Sequence, residues 1–198
     1  MKILVTGVNH KTAPIEVREK LVFSGDKLQK GLDQLLLNPA IEGGIILSTC
    51  NRIEIYIDIK ETEEKIKEYI KRFLSEFHSI DKNLLDTSLY FYSDADAIRH
   101  IFRVTSSLDS MVIGEPQILG QVKDAFEFAL SRKTTSVILN KLMRKAISVA
   151  KRIRRETRIG KNAVSISYAA VELAKKIFID LNKKTFMLLG AGEMAELT

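Results

Sequence analysis

The stretch GIILSTCNRIEIYIDIK, residues 44–60, decides the fold. Its opening, Gly44-Ile45-Ile46-Leu47, is a short apolar run that suits a strand buried on both faces. Farther on, Ile53, Ile55, Ile57 and Ile59 alternate with Glu54, Tyr56, Asp58 and Lys60, the two-residue period of a half-buried strand. Between the two lies Ser48-Thr49-Cys50-Asn51-Arg52. Asn51 tolerates a left-handed turn, so this segment reads as a link at a sheet end, where side chains can face a cleft. Cys50 is the single cysteine of the chain. A thiol attacks as its thiolate, a form that a nearby guanidinium such as that of Arg52 favours. The same fork of donors can instead grip a substrate carboxylate. The competing reading of Cys50 is a small buried hydrophobe.

Composition narrows the setting. At 198 residues the chain suffices for one large domain, or for one domain and part of another. One cysteine excludes an internal disulfide and fits a reducing compartment. No apolar run is long enough to span a membrane, and the start turns polar too early for a secretory signal, so a cytoplasmic protein without a membrane partner is expected. The net charge of +6 is concentrated: nine Lys or Arg between Lys141 and Lys161 face one acid, Glu156, a local +8 that leaves −2 for the rest. That distribution suggests a polyanion held along one element.

Working outward from the central stretch, Ile3–Val8 reads as a first strand. It ends in Asn9-His10-Lys11-Thr12, with His10 as a loop histidine of no further role. Thr12 and Pro14 start a helix, and a second follows Ser24, closed by Asn38-Pro39. After the central strands, Glu61–Phe77 forms an amphipathic helix and Ser88–Tyr92 a fourth strand. This order is the split βαβ of an α+β ferredoxin-like sandwich, with helices on one face of an antiparallel sheet. Ser93 and Asp96 make a capping signal for a helix from Asp94 toward Ser107. On that helix Ile98, Ile101, Phe102 and Thr105 cluster, so His100 points the other way, to solvent or a cleft. Polar, turn-rich segments at 107–110 and 114–117 carry Asp109, Glu115 and Gln117, which with Gln121 on the helix that follows supply the donors and acceptors an amino-acid pocket requires.

Ser136 to about Gly160 reads as one long helix. Opposite its apolar stripe, Arg144, Lys151, Arg155 and Arg158 lie on one line with few acids to pair them, free for phosphates. A linker helix over 164–179 follows, then a buried-type strand, Phe186–Leu189, and Gly190-Ala191-Gly192-Glu193-Met194-Ala195. This last is the G-x-G-x-x-A turn of dinucleotide-binding folds, read as the start of an incomplete Rossmann domain.

Together these stretches resemble the N-terminal part of the glutamyl-tRNA reductases. The resemblance is carried by Gly7-Val8-Asn9-His10-Lys11-Thr12-Ala13-Pro14, Ser48-Thr49-Cys50-Asn51-Arg52, Ser107-Leu108-Asp109-Ser110, Gly114-Glu115-Pro116-Gln117-Ile118-Leu119-Gly120-Gln121 and Ala150-Lys151-Arg152-Ile153-Arg154. It implies that Cys50 attacks the ester of glutamyl-tRNA and holds a glutamyl thioester, which NADPH reduces to glutamate-1-semialdehyde, opening tetrapyrrole synthesis. It also implies that His100 is catalytic, as a proton carrier or in polarising the ester, that Arg52 grips the substrate carboxylate, and that Thr49, Asn51, Ser110, Glu115, Pro116, Gln117 and Gln121 line the glutamate pocket. Residues 1–160 would be the catalytic, tRNA-binding unit, and 161–198 the linker helix and first part of the NADPH domain, with Gly190–Ala195 against the cofactor. No metal is implied, and the complete protein is expected to be a homodimer. The chain's stop at Thr198 suggests thioester formation without reduction. Two rivals are a non-catalytic RNA-binding module built on the sheet and the basic helix, and a simple thiol hydrolase.

Overall fold

A computed structural model describes residues 2–157, 159, 166–178, 180, 181, 184, 185 and 187. The alternating stretch and the apolar run before it form the hairpin β2 (Ile41–Ser48) and β3 (Arg52–Ile59). Before it come β1 (Lys2–Asn9), α1 (Ile15–Lys20) and α2 (Asp26–Leu35). After it come α3 (Glu63–His78), α4 (Lys82–Ser88) and β4 (Tyr90–Ser93), then α5 (Asp94–Thr105), α6 (Gln117–Ser131), α7 (Val137–Glu156) and α8 (Ile166–Ile177). The strands lie in the order β2-β3-β1-β4 with every neighbouring pair antiparallel, so β3 lies between β1 and β2, and β1 between β3 and β4. This is the split arrangement expected from the element order.

The helices, however, cover both faces of the sheet. On one face Leu4, Ile46, Ile53, Ile55 and Ile57 pack with Leu32, Leu35, Ile66, Ile70 and Phe73 from α2 and α3. On the other, Val5, Ile45, Leu47 and Tyr56 pack with Ile101, Val104, Val122, Phe126, Leu139 and Met143 from α5, α6 and α7. The reason is physical: α5, α6 and α7 each carry an apolar stripe that has to be buried, and α1 to α4 already occupy the first face. The half-buried strand expected at 53–59 is therefore a fully buried central one, with Glu54 and Asp58 shut off from solvent.

Two corrections concern α5. Its buried stripe is Ala97, His100, Ile101, Val104 and Thr105, while Ile98 is 40% exposed. His100 is thus turned toward the sheet, only 7% exposed, where the buried Glu54 receives it. Ser93 does not cap the helix; its hydroxyl donates to Glu63 Oε2 at 2.6 Å. Helix α4, absent from the sequence reading, starts at Asp81, whose carboxylate accepts from the Asn83 N–H. Helix α7 begins after Ser136, whose Oγ accepts from the Leu139 N–H, and ends at Glu156, short of Gly160. Of the strand read at 186–189 only Met187 is described, and the glycine turn Gly190–Ala195 lies outside the described residues.

Candidate active site

The link between β2 and β3 is held from three sides. Thr49 Oγ1 accepts from the N–H groups of Asn51 and Arg52, at 3.2 and 3.1 Å. The His10 N–H donates to Asn51 O at 3.0 Å, and Arg18 of α1 donates to Cys50 O at 2.7 Å. The result is a fixed turn that presents Cys50 to solvent, which removes the buried-hydrophobe reading. Beside the thiol is a recess of about 100 Å³ lined by Thr49, Cys50, Asn51, Arg52, Ser110, Glu115, Gln117, Ile118 and Gln121. Eight of these were singled out from sequence. Pro116 is exposed at the start of α6 and stays outside the lining. A larger open hollow of about 850 Å³ along α3 mixes Glu61, Lys65, Glu68 and Arg72, and neither a cysteine nor a histidine lines it.

Behind the recess lies a buried polar network centred on Glu54. Its Oε1 accepts from Arg52 Nη1 at 2.7 Å, Tyr90 Oη at 2.5 Å and His100 Nε2 at 2.9 Å, and its Oε2 from Tyr56 Oη at 2.6 Å. Burial opposes ionisation of this carboxyl, but the hydrogen bond from His100 and the charge of Arg52 outweigh it and hold its pKa at about 2. Burial, reinforced by the Glu54 charge, pushes both phenols far above their usual range. Burial disfavours the charged form of Arg52 too, yet Glu54 more than compensates and raises its pKa. Arg52 Nη2 also donates to Asp109 O at 2.6 Å and Asp109 Oδ2 at 3.2 Å, and Lys11 Nζ reaches Asp109 Oδ1 at 2.8 Å. Against the effect of burial, Lys11 and Arg52 lower the Asp109 pKa. Two cations, the buried Arg52 and the exposed Lys11, thus balance the two anions Glu54 and Asp109. His10 sits at the rim; burial, then the charges of Lys11 and Arg52, depress its pKa.

The wall supplied by residues 107–116 is clasped from α7. Arg154 Nη2 donates to Ser107 Oγ at 2.6 Å and to Glu115 O, and Ser107 Oγ in turn donates to Glu115 O at 2.7 Å. Ser107 and Gly114 both hold positive φ, 62° and 88°, and a Cβ on Gly114 would collide with the Ile159 carbonyl. The sequence reading assigned no role to Glu54, Tyr56, Tyr90, Lys11, Arg18 or Arg154. One signal was available: three amphipathic helices after β4 exceed what one sheet face can bury, so the polar alternation of β3 had to point inward. Gly7 marks the same spot, since a Cβ there would strike Ile53 O and the Glu54 side chain.

On α7, Arg144, Lys151 and Arg155 are exposed, whereas Arg158 lies outside the described residues. Among the described residues no cluster of His, Cys, Asp and Glu could hold a metal ion, and no helix is long and apolar enough to cross a membrane.

Fold and site together define an α+β domain with one exposed thiol at the edge of a polar, carboxylate-backed recess. Residues 6–157 match the family model described as the N-terminal domain of glutamyl-tRNA(Glu) reductase. The whole chain aligns at 53% identity with 47% of the glutamyl-tRNA reductase of Thermodesulfovibrio yellowstonii, and at 52% with 45% of that of Trichlorobacter lovleyi. The solved structure of the glutamyl-tRNA reductase from Methanopyrus kandleri superposes on 97% of the chain and 44% of its own length, with a TM-score of 0.69 and 35% identity. The chain belongs to the glutamyl-tRNA reductase family. It spans about half the length of the curated relatives it matches.

Proposed function

We propose that this chain carries the acyl-transfer half of glutamyl-tRNA reduction. The observation that supports it is the exposed Cys50 opening onto the same recess as Ser110, Glu115, Gln117 and Gln121. Cys50 Sγ attacks the carbonyl carbon of the glutamyl ester. The C–S bond forms, the bond to the ribose oxygen breaks, and the thiol's proton ends on that oxygen, freeing the tRNA. The Glu115 carboxylate suits the α-ammonium of the glutamyl group. The amides of Gln117, Gln121 and Asn51, the hydroxyls of Thr49 and Ser110, and the donors of Arg52 not engaged by Glu54 and Asp109 suit its γ-carboxylate. Because Arg52 is already neutralised by the protein, it contributes oriented N–H donors rather than a free charge. His100 is read as a positioning residue: with Glu54 ionised, its Nε2–H donates inward, and it acts through Glu54 and Arg52.

In the complete protein NADPH would supply the hydride that reduces the thioester to glutamate-1-semialdehyde. The residues proposed to hold it, Gly190–Ala195, lie outside the described residues, and the boundary near residue 160 between the catalytic and NADPH units belongs to the same proposal. So do the homodimer, a cytoplasmic location, and tRNA phosphates along Arg144, Lys151, Arg155 and Arg158. The rival RNA-binding reading needs an open sheet face for base stacking, and helices cover both faces here. The reading is tested by products: this chain with glutamyl-tRNA should release free glutamate through its thioester, and Cys50→Ser should not; glutamate released at the wild-type rate by Cys50→Ser would overturn it.

A further inference from the structure

A second hollow, of about 310 Å³, opens beside the proposed glutamate recess at the edge of the sheet. Its location follows from the topology. Strand β2 is an edge strand, so the layers formed by α2 and α6 do not meet beyond it. Phe23, Leu28, Ile46 and Ser48 line the hollow together with Ala125 and Phe128 of α6. Gln121 lines both this hollow and the recess, and Ser48 precedes Cys50 by two residues, a chain reach of at most about 7 Å. Strand β2 also turns backbone groups outward along this edge. Gly44 directs its N–H away from β3 to Thr134 O at 2.7 Å, and by strand alternation the N–H and C=O of Ile46 and Ser48 also point away from β3.

We propose that this hollow binds the terminal adenosine of the aminoacyl-tRNA while the glutamyl group occupies the recess; the assignment rests on the acyl-transfer reading above. The covalent structure of the substrate supports it. An aminoacyl ester hangs from the ribose of the tRNA's last nucleoside, so whatever places the ester at Cys50 places that nucleoside next to it. The neighbouring hollow has the chemistry a purine needs: the apolar side chains of Leu28, Ala125 and the half-buried Phe128 for its faces, and edge-strand amide and carbonyl groups for its polar rim. The Asp124 carboxylate suits a ribose hydroxyl. The Arg132 guanidinium lies over the ring of Phe128, 5.4 Å from its centre, and suits the preceding phosphate. The recess, at about 100 Å³, is several times smaller and fits the amino acid alone.

The test titrates the isotope-labelled chain with AMP, and with UMP for comparison, following the amide resonances of Phe23, Ile46 and Phe128. AMP is expected to shift them at lower concentration than UMP. Ala125→Trp, which fills the hollow from α6, is expected to abolish the shifts and to slow glutamate transfer from glutamyl-tRNA to Cys50 roughly tenfold. Acylation by a small activated glutamyl ester that has no nucleoside should keep its rate, which also reports an intact fold. AMP that leaves these resonances unmoved, or an Ala125→Trp chain slowed equally toward both esters, would overturn the assignment. AMP in the hollow with no glutamate reaching Cys50 would overturn the tRNA occupant and the acyl-transfer reading with it, leaving a nucleoside site.

Discussion

His100 Nε2 lies 2.9 Å from Glu54 Oε1, and both side chains are closed off from solvent behind the recess that Cys50 borders. Helix α5 and strand β3, 46 residues apart, are joined at this point. Glu54→Gln keeps the shape but sets an amide among four donors and leaves Arg52 short of a counter-charge. Breaking a buried pair of this kind costs about 3–5 kcal/mol, so the midpoint of urea unfolding should fall sharply. Transfer of glutamate to Cys50 should slow at the same time, because Arg52 loses its fixed orientation.

The same carboxyl dictates an acid limb of stability. Its folded pKa of about 2 lies below the unfolded value near 4.5, so its contribution is present above pH 4.5 and is lost as the pH falls toward 2. The shift corresponds to roughly 3 kcal/mol. Burial, and then Lys27, lower the His78 pKa from 6.5 to about 4. That histidine favours the folded state when neutral, so its contribution is present above pH 6.5 and declines toward pH 4. Unfolding free energy against pH should therefore drop in two windows, and Glu54→Gln should flatten only the lower one.

Arg154 ties α7 to the recess wall through Ser107 and Glu115. Arg154→Ala should leave the sheet intact, with stability lowered by about 1–3 kcal/mol, yet raise the substrate concentration needed for Cys50 acylation. Labelling of the exposed thiol by a small alkylating reagent should change little, because Arg18 and His10, not Arg154, hold its turn.

Gly7 faces Glu54 on one side and Tyr90 on the other in the strand register. Gly7→Ala would push a methyl group into Ile53 O and Glu54, and overpacking of this kind costs about 1–3 kcal/mol. Calorimetry should record the loss, and the tyrosine absorbance of Tyr56 and Tyr90 should titrate at lower pH than in the parent once their burial is relaxed.

If Arg144, Lys151 and Arg155 meet phosphates, changing all three to Gln should weaken tRNA binding and reduce the slope of log affinity against log salt by roughly one for each phosphate left without its cation. Acylation of Cys50 by a small glutamyl ester should be indifferent to the change. Equal slopes for parent and variant would remove these residues from the tRNA path.

Periodicity made much of this fold legible. The order of strands and helices through β4, the short α4 excepted, follows from apolar spacing and turn signals, as do the long helix behind Ser136 and the turn bearing Cys50. Layering was not legible, because a two-residue period reports that one side of β3 is apolar without saying what covers the other. That omission misdirected His100: its helix buries a stripe one position removed from the most apolar one, since a buried carboxylate rewards a polar partner. The recess was more readable than the network behind it. Its lining comes from two short segments, 49–52 and 110–121, whereas Glu54, Tyr90, Asp109 and Lys11 meet only through the sheet register and the 107–116 loop.

The account turns on Cys50 accepting the glutamyl group, and intact-mass spectrometry of the chain quenched in acid after mixing with glutamyl-tRNA tests this most directly. It predicts a mass increase of one glutamyl residue, released by hydroxylamine and absent in Cys50→Ser. An unmodified chain alongside intact glutamyl-tRNA, or an adduct that persists in Cys50→Ser, would contradict it.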